Sequence, residues 1–308
     1  MIFIILAILT ILIATINYKK GFLIYLLLQM IWFPDTQLFK VGGAWINLNF
    51  FCAAIFLILY VVKGKKYSKE KIAFPFSKTM VCIGFSLLVT SFTSLAGFGN
   101  ELVKAIGLII MEIIIVYLIW KTVNTKEDYI FLFKGITIIV LFACAYMFYE
   151  KMTGTNFILD YKISCTSNKF DTYRDFAEWD YRGYRCYSIF DHTICASMVF
   201  SLYTALTFIL LMNKRRYPFK YLSIITAVLC IPAMFFTQQR TGIFMFIIAV
   251  LSVVDFRKKK FWKLLGIMIV AFFIVRPYIS ENINLLLSIF NTKYQNSVSG
   301  SSMSLRLD

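Results

Sequence analysis

The sequence predicts an all-α, polytopic transmembrane helix bundle with a long extracytoplasmic loop, and three observations predict it. Of the 308 residues, 60% are apolar and only 16% are charged, against about half and about a quarter in a soluble domain. The mean hydropathy is +0.75 and 32 residues are Phe, which excludes a disordered chain. The apolar residues fall in blocks of roughly 17–22, the length that carries a helix across a ~30 Å hydrocarbon core.

About ten spans follow in one integral membrane domain, residues 1–308. They lie near 1–17, 22–39, 44–62, 79–97, 102–120, 130–149, 191–212, 219–237, 241–255 and 262–279. The second is interrupted by Pro34 and Asp35. The first lacks a positively charged start and a small-residue cleavage site, so it reads as a retained helix and not a signal peptide. Most loops are short, and no internal repeat stands out. Two polar segments, 150–190 and 280–308, are the exceptions. The chain ends in the second without a closing span, and the expectation is a C-terminally truncated version of a longer protein.

Charge orients the spans. Basic clusters follow each odd-numbered span: Lys19-Lys20, Lys63 to Lys71, Lys121 with Lys126, Lys214-Arg215-Arg216, and Arg257 to Lys260. By the positive-inside rule these loops are cytoplasmic. That side carries 20 Lys/Arg and four acids, whereas the other carries 12 and 11, with Glu112 inside a span. The net charge of +16 is thus a topology signal that touches membrane lipid, and no nucleic-acid partner is implied. The N-terminus and both polar loops lie outside.

Few residues offer chemistry. Glu112, in the middle of LIIMEIIIVYLIW, is an ionisable group at membrane depth. It reads either as an interhelical contact or as part of a proton or substrate path. Lys104 and Arg276 lie near span ends and can snorkel. His192, the only histidine, is either a general base beside Asp191 or a residue of the helix start capped by Asp191. With one His and no CxxC, a metal site is not expected. Five of the seven cysteines lie in spans. Cys165 and Cys186 share the outer loop, as a pair or as two thiols. In Phe236-Thr-Gln-Gln-Arg-Thr-Gly242, Arg240 sits in a very short outer turn. It offers a guanidinium fork to phosphate, with the N–H groups of Thr241 and Gly242 behind it. A lipid-headgroup anchor is the other reading.

Two segments, Arg185-x-x-Ser188-x-Phe190-x-His192 and Thr237-x-x-Arg240-Thr-Gly242, resemble the paired outer-face motifs of the O-antigen ligase/polymerase superfamily. Each motif opens a helix, and the second is followed by a helix in, a basic turn, a helix out and an outer loop. Ser299 to Arg306 resembles a further family segment. The similarity covers about residues 80–308. Gln239 stands where Ser is usual and Thr193 where Pro or Asn is usual, and the family's functional His has no counterpart here. The resemblance implies a cofactor-free glycosyltransferase in the bacterial plasma (inner) membrane, acting on an undecaprenyl-diphosphate-linked glycan at the outer face. Arg185 and Arg240 match the arginines that hold the diphosphate. Ser188, Thr237, Thr241 and Arg306 are supporting residues, and the catalytic residue is unassigned, with His192 a candidate. Trp179, Tyr181 and Tyr184 would stack on sugar or sit in an interfacial aromatic belt. The expected activity is polymerisation of oligosaccharide repeat units of an O-antigen or capsule-type polysaccharide. A ligase that transfers a finished glycan to a lipid, wall polymer or protein is the alternative. A transporter or flippase using Glu112 is the alternative of another class. Other polysaccharide-assembly membrane proteins are the expected partners.

Overall fold

The computed structural model describes residues 2–31, 37–41, 44–67, 76–92, 98–164, 185–212 and 219–253, with Phe74, Trp262 and Gly266 besides. These are predominantly helical. The chain divides into two compact units, Met1–Phe133 and Lys134–Asp308. Among the described residues, three helices are long and apolar enough to cross a membrane: Phe98–Thr122, Lys126–Thr153 and Thr193–Met212. Four shorter apolar helices accompany them. The chain is a helical membrane protein. The predicted span 262–279 and loop 280–308 lie outside the described residues apart from Trp262 and Gly266.

In the first unit, α1 (Ile2–Ile16) and α2 (Tyr18–Leu28) are separated by one residue. Asn17 leaves the helical region at φ −136°, and its Oδ1 accepts from the Lys20 N–H at 3.2 Å, which caps α2. The helices cross closely at Gly21, where a Cβ would lie 2.5 Å from Ala14.

The expected second span needs correction. α2 stops at Leu28, and Gln37–Val41 (β1) pairs antiparallel with Ala44–Asn47 (β2), Lys40 opposite Trp45. Pro34 supplies no backbone N–H and disfavours helix at Phe33, and Gly42-Gly43 between alternating residues is a hairpin signal. The third expected span, 44–62, correspondingly loses its first residues to β2. α3 (Leu48–Val62) begins where the Asn47 Oδ1 accepts from the Phe50 N–H at 2.7 Å. Its Phe56 packs into a fully buried aromatic cluster with Tyr18, Phe22 and Tyr25, and the Tyr25 and Phe56 rings stack at 4.5 Å.

The basic loops after the first, third and fifth expected spans meet at one end of this unit. Lys19 pairs with Asp128 at 2.7 Å, the Asn124 amide donates to the Tyr67 carbonyl at 2.7 Å, and Lys63 donates to the Thr15 carbonyl. After α4 (Ser77–Phe92), α5 (Phe98–Leu108) and α6 (Ile115–Thr122) form one continuous helix through a π-helical turn, Ile109–Ile114. Such turns insert one residue per turn and recur at functional sites. Glu112 lies in this turn and is exposed.

α7 (Lys126–Thr153) starts with a reciprocal cap. The Thr125 Oγ1 accepts from the Asp128 N–H, and the Asp128 carboxylate accepts from the Thr125 N–H at 2.8 Å. Its 28 residues span about 42 Å at 1.5 Å per residue, more than the ~30 Å core requires. The expected loop 150–190 is therefore not all loop. α7 continues to Thr153, Gly154 ends it at φ 66°, and α8 (Phe157–Ser164) follows. In the second unit, α9 (Thr193–Met212) packs against both α10 (Lys220–Phe236) and α11 (Arg240–Val253). Its buried face carries Ser197, Ser201, Thr204 and Thr207, small polar residues of the kind that let membrane helices approach.

Candidate functional site

The two arginine motifs converge in the second unit. The segment ahead of α9 is docked by its backbone on the end of α10: the Cys186 N–H donates to the Phe236 carbonyl at 3.1 Å. Residues 237–239 then turn the chain directly into α11. Gln238 takes the left-handed conformation at φ 54°, which stops α10 and allows Arg240 to begin the next helix. Two further contacts fasten the motifs. The Gln239 Nε2 donates to the Thr193 Oγ1 at 2.7 Å. Gly242 lies so close to α9 that a Cβ would sit 1.8 Å from the Ser197 Oγ and 2.8 Å from its carbonyl oxygen. The glycine of Thr-Gly is thus fixed by helix contact. Gly242→Ala should lower the yield of folded protein, since overpacking costs about 1–3 kcal/mol. Ser197→Gly should restore it only in part, because the backbone oxygen stays, and detergent-extracted yield checks both.

The first motif is held from below. Phe190 N–H closes a tight turn on the Tyr187 carbonyl at 3.1 Å, with Ser188 left-handed at φ 56°. A non-glycine residue there costs about 1–3 kcal/mol and persists only where surroundings over-determine it. Here they do. Glu150, fully buried at the end of α7, accepts the Tyr187 N–H at 3.0 Å and the Ser188 N–H at 2.6 Å. The Ser188 Oγ donates to the Ala143 carbonyl at 2.6 Å, and the Asn156 amide donates to the Ser188 carbonyl at 2.9 Å. The Lys162 Nζ donates to the Ile189 carbonyl. Successive N–H groups converging on a carboxylate make an anion nest, filled in this protein by its own Glu150.

This geometry sorts the expected residues. Arg185 is half-buried beside the docked backbone, and burial pushes its guanidinium below its ordinary value, opposed by the charge of Tyr187. Arg240 occupies the first position of α11, where helix N–H groups and dipole favour an anion. Thr241 is exposed beside it. Ser188 and Thr237 are fully buried, and their hydroxyls go to backbone carbonyls, Thr237 to Met234 at 2.7 Å. They shape the backbone around the site. His192 caps α9 itself: its Nδ1 accepts from the Ile194 N–H at 3.0 Å. The expected cap, Asp191, is displaced from that role. Cys186 is a free, buried thiol pushed up by burial. Arg306, Trp179, Tyr181, Tyr184 and Cys165 lie outside the described residues. Glu150, Asn156 and Lys162 were not expected, and a lone acid closing an apolar span was the one sequence signal for Glu150.

A cavity of about 580 Å³ lies in the first unit, lined by Phe74, Val81, Phe85, Ile109 and Ile113. It offers no cation to an anionic group, so the motif turn and not this groove is the candidate site. Compared with protein-family models, curated proteins and solved structures, the chain matches none.

Proposed function

We propose that the chain is a polymerase of lipid-linked glycans, joining undecaprenyl-diphosphate-linked repeat units at the outer face of a bacterial plasma membrane, with its N-terminus outside. The observation that carries this reading is the docking of Cys186 on Phe236, which brings the Arg185 segment to the turn that precedes Arg240. A glycosyl transfer from such a donor expels a diphosphate at the membrane boundary. Two guanidinium groups and a helix N-terminus are suited to the charge that develops there. The acceptor hydroxyl attacks the anomeric carbon as the bond to the diphosphate oxygen breaks. The two positions at which the motifs depart from the family pattern, Thr193 and Gln239, are the pair that hydrogen-bonds.

The π-helical setting of Glu112 favours one rival, a transporter that uses this carboxylate for coupling. Deletion followed by complementation separates the two. Cells lacking the protein should accumulate lipid-linked single repeat units outside the membrane, and Glu112→Gln should restore long chains to about the wild-type level. Loss of function in Glu112→Gln at normal protein level, with repeat units trapped on the cytoplasmic side, would favour the transporter and remove the polymerase reading.

A further inference from the structure

α8 is tied to the motif turn at both ends. Asn156 caps its start, accepting from the Leu159 N–H at 2.9 Å and from the Tyr146 hydroxyl, while its amide donates to the Ser188 carbonyl. Lys162, in its last turn, donates to the next carbonyl, that of Ile189. Two consecutive carbonyls of a strained turn are thus held by one short helix. Lys162 is only 1% exposed, and a buried amine is costly unless it is used. We propose that Lys162 is a positioning residue: its ammonium group, on the Ile189 carbonyl, holds the turn so that the Arg185 segment meets the turn before Arg240. This rests on the proposed polymerase reading for its catalytic consequence, though not for the positioning itself.

The charge of Lys162 makes the device sensitive to pH. Burial pushes the amine down to about 8, opposed by the attraction of Asp191. The titratable groups on the adjoining stretches are Tyr146, Tyr149, Glu150 and Lys151 near the end of α7, Asp160 and Tyr161 on α8, and Arg185, Cys186, Tyr187, Asp191 and His192 along the turn. Among them Asp191 is the one whose charge acts on the amine. Positioning by the ammonium is full well below pH 8 and lost as pH rises through it. Global stability runs the other way. Between about 8 and the ordinary lysine value of about 10.4, the unfolded chain binds a proton that the native chain has released, so the native state gains as pH rises. Lys162→Met removes the buried charge but also leaves the Ile189 carbonyl without this donor, so the cost falls on the turn.

The test uses the full chain in native membranes, with Cys186 kept as the sole cysteine and labelled by a small maleimide at pH 7. With Lys162 in place, the buried thiol should react slowly. Lys162→Met should react about tenfold faster or more, the change that loss of one charge-assisted hydrogen bond brings. Lys162→Arg, which keeps the charge, should react as slowly as the parent. Equal protection in Lys162→Met and the parent would overturn the proposal. If Lys162→Met fails to insert, the rate ratio of parent to Lys162→Arg decides: it should rise about tenfold between pH 7 and 9, and a constant ratio overturns the proposal. Faster labelling in Lys162→Met without any effect of the arginines on glycan length leaves the positioning role standing and sinks the polymerase reading alone.

Discussion

Arg240→Ala is expected to abolish chain extension in cells while the amount of protein in the membrane stays unchanged, and Arg185→Ala to impair extension strongly. Removing a charge-assisted contact to a reacting group costs on the order of 10²–10³ in rate. Arg240 opens α11 directly after the turn at residues 237–239, so its loss leaves the helix packing through Gly242 and Ser197 untouched. Arg240→Lys should rescue poorly, since an ammonium lacks the planar two-pronged fork. Gel analysis of the glycan reads the outcome, with lipid-linked single repeat units accumulating as long chains vanish. A lipid anchor predicts a different result: less protein, and good rescue by Lys.

The second large effect is expected at Glu150. Its carboxylate accepts the Tyr187 and Ser188 N–H groups in a fully buried setting. Glu150→Ala leaves both donors without that acceptor, at about 1–3 kcal/mol each. The left-handed conformation of Ser188 itself costs about 1–3 kcal/mol, so without these acceptors the turn should relax and Arg185 lose its place. Glycan extension should fall about as far as in Arg185→Ala, while α7 keeps its cap at Asp128 and still inserts. Glu150→Gln, whose amide oxygen keeps one acceptor, should fall between Glu150→Ala and the parent. Quantifying chain length against membrane protein level checks the order.

Much of the helical framework was legible because its signals are local. Apolar blocks marked the helices from Ile2–Ile16 to Arg240–Val253, and the basic clusters marked loops that meet through Lys19, Asp128, Asn124 and Tyr67. The hairpin at Gln37–Asn47 was missed because its strands, Gln37–Val41 and Ala44–Asn47, adjoin or enter the apolar blocks read as spans 22–39 and 44–62. Composition alone does not separate a period of two from one of 3.6 over so short a run. The docking of residue 186 on the end of α10 has no local signal in the sequence; only the resemblance set the two segments side by side. It depends on a backbone bond across 50 residues, Cys186 to Phe236. Glu150, Asn156 and Lys162 were invisible for a related reason. Each acts on backbone groups of the turn, and a sequence does not say which backbone a distant side chain reaches. His192 shows a milder case: the helix start was read at the right place, but with Asp191 as its cap, whereas the His192 Nδ1 takes the Ile194 N–H.

As proposed, Arg185 and the Arg240 turn form one site for a lipid diphosphate. The most direct measurement is binding of geranylgeranyl diphosphate to the purified full chain in detergent, in parallel with geranylgeraniol. Saturable binding is predicted for the diphosphate alone, weakened about 10-fold or more by either Arg185→Ala or Arg240→Ala, each loss removing a charge-assisted contact. The double variant should be little worse than the weaker single one, as expected for residues that act on one group. Unchanged diphosphate binding in the double variant, or equal binding of the alcohol, would contradict it.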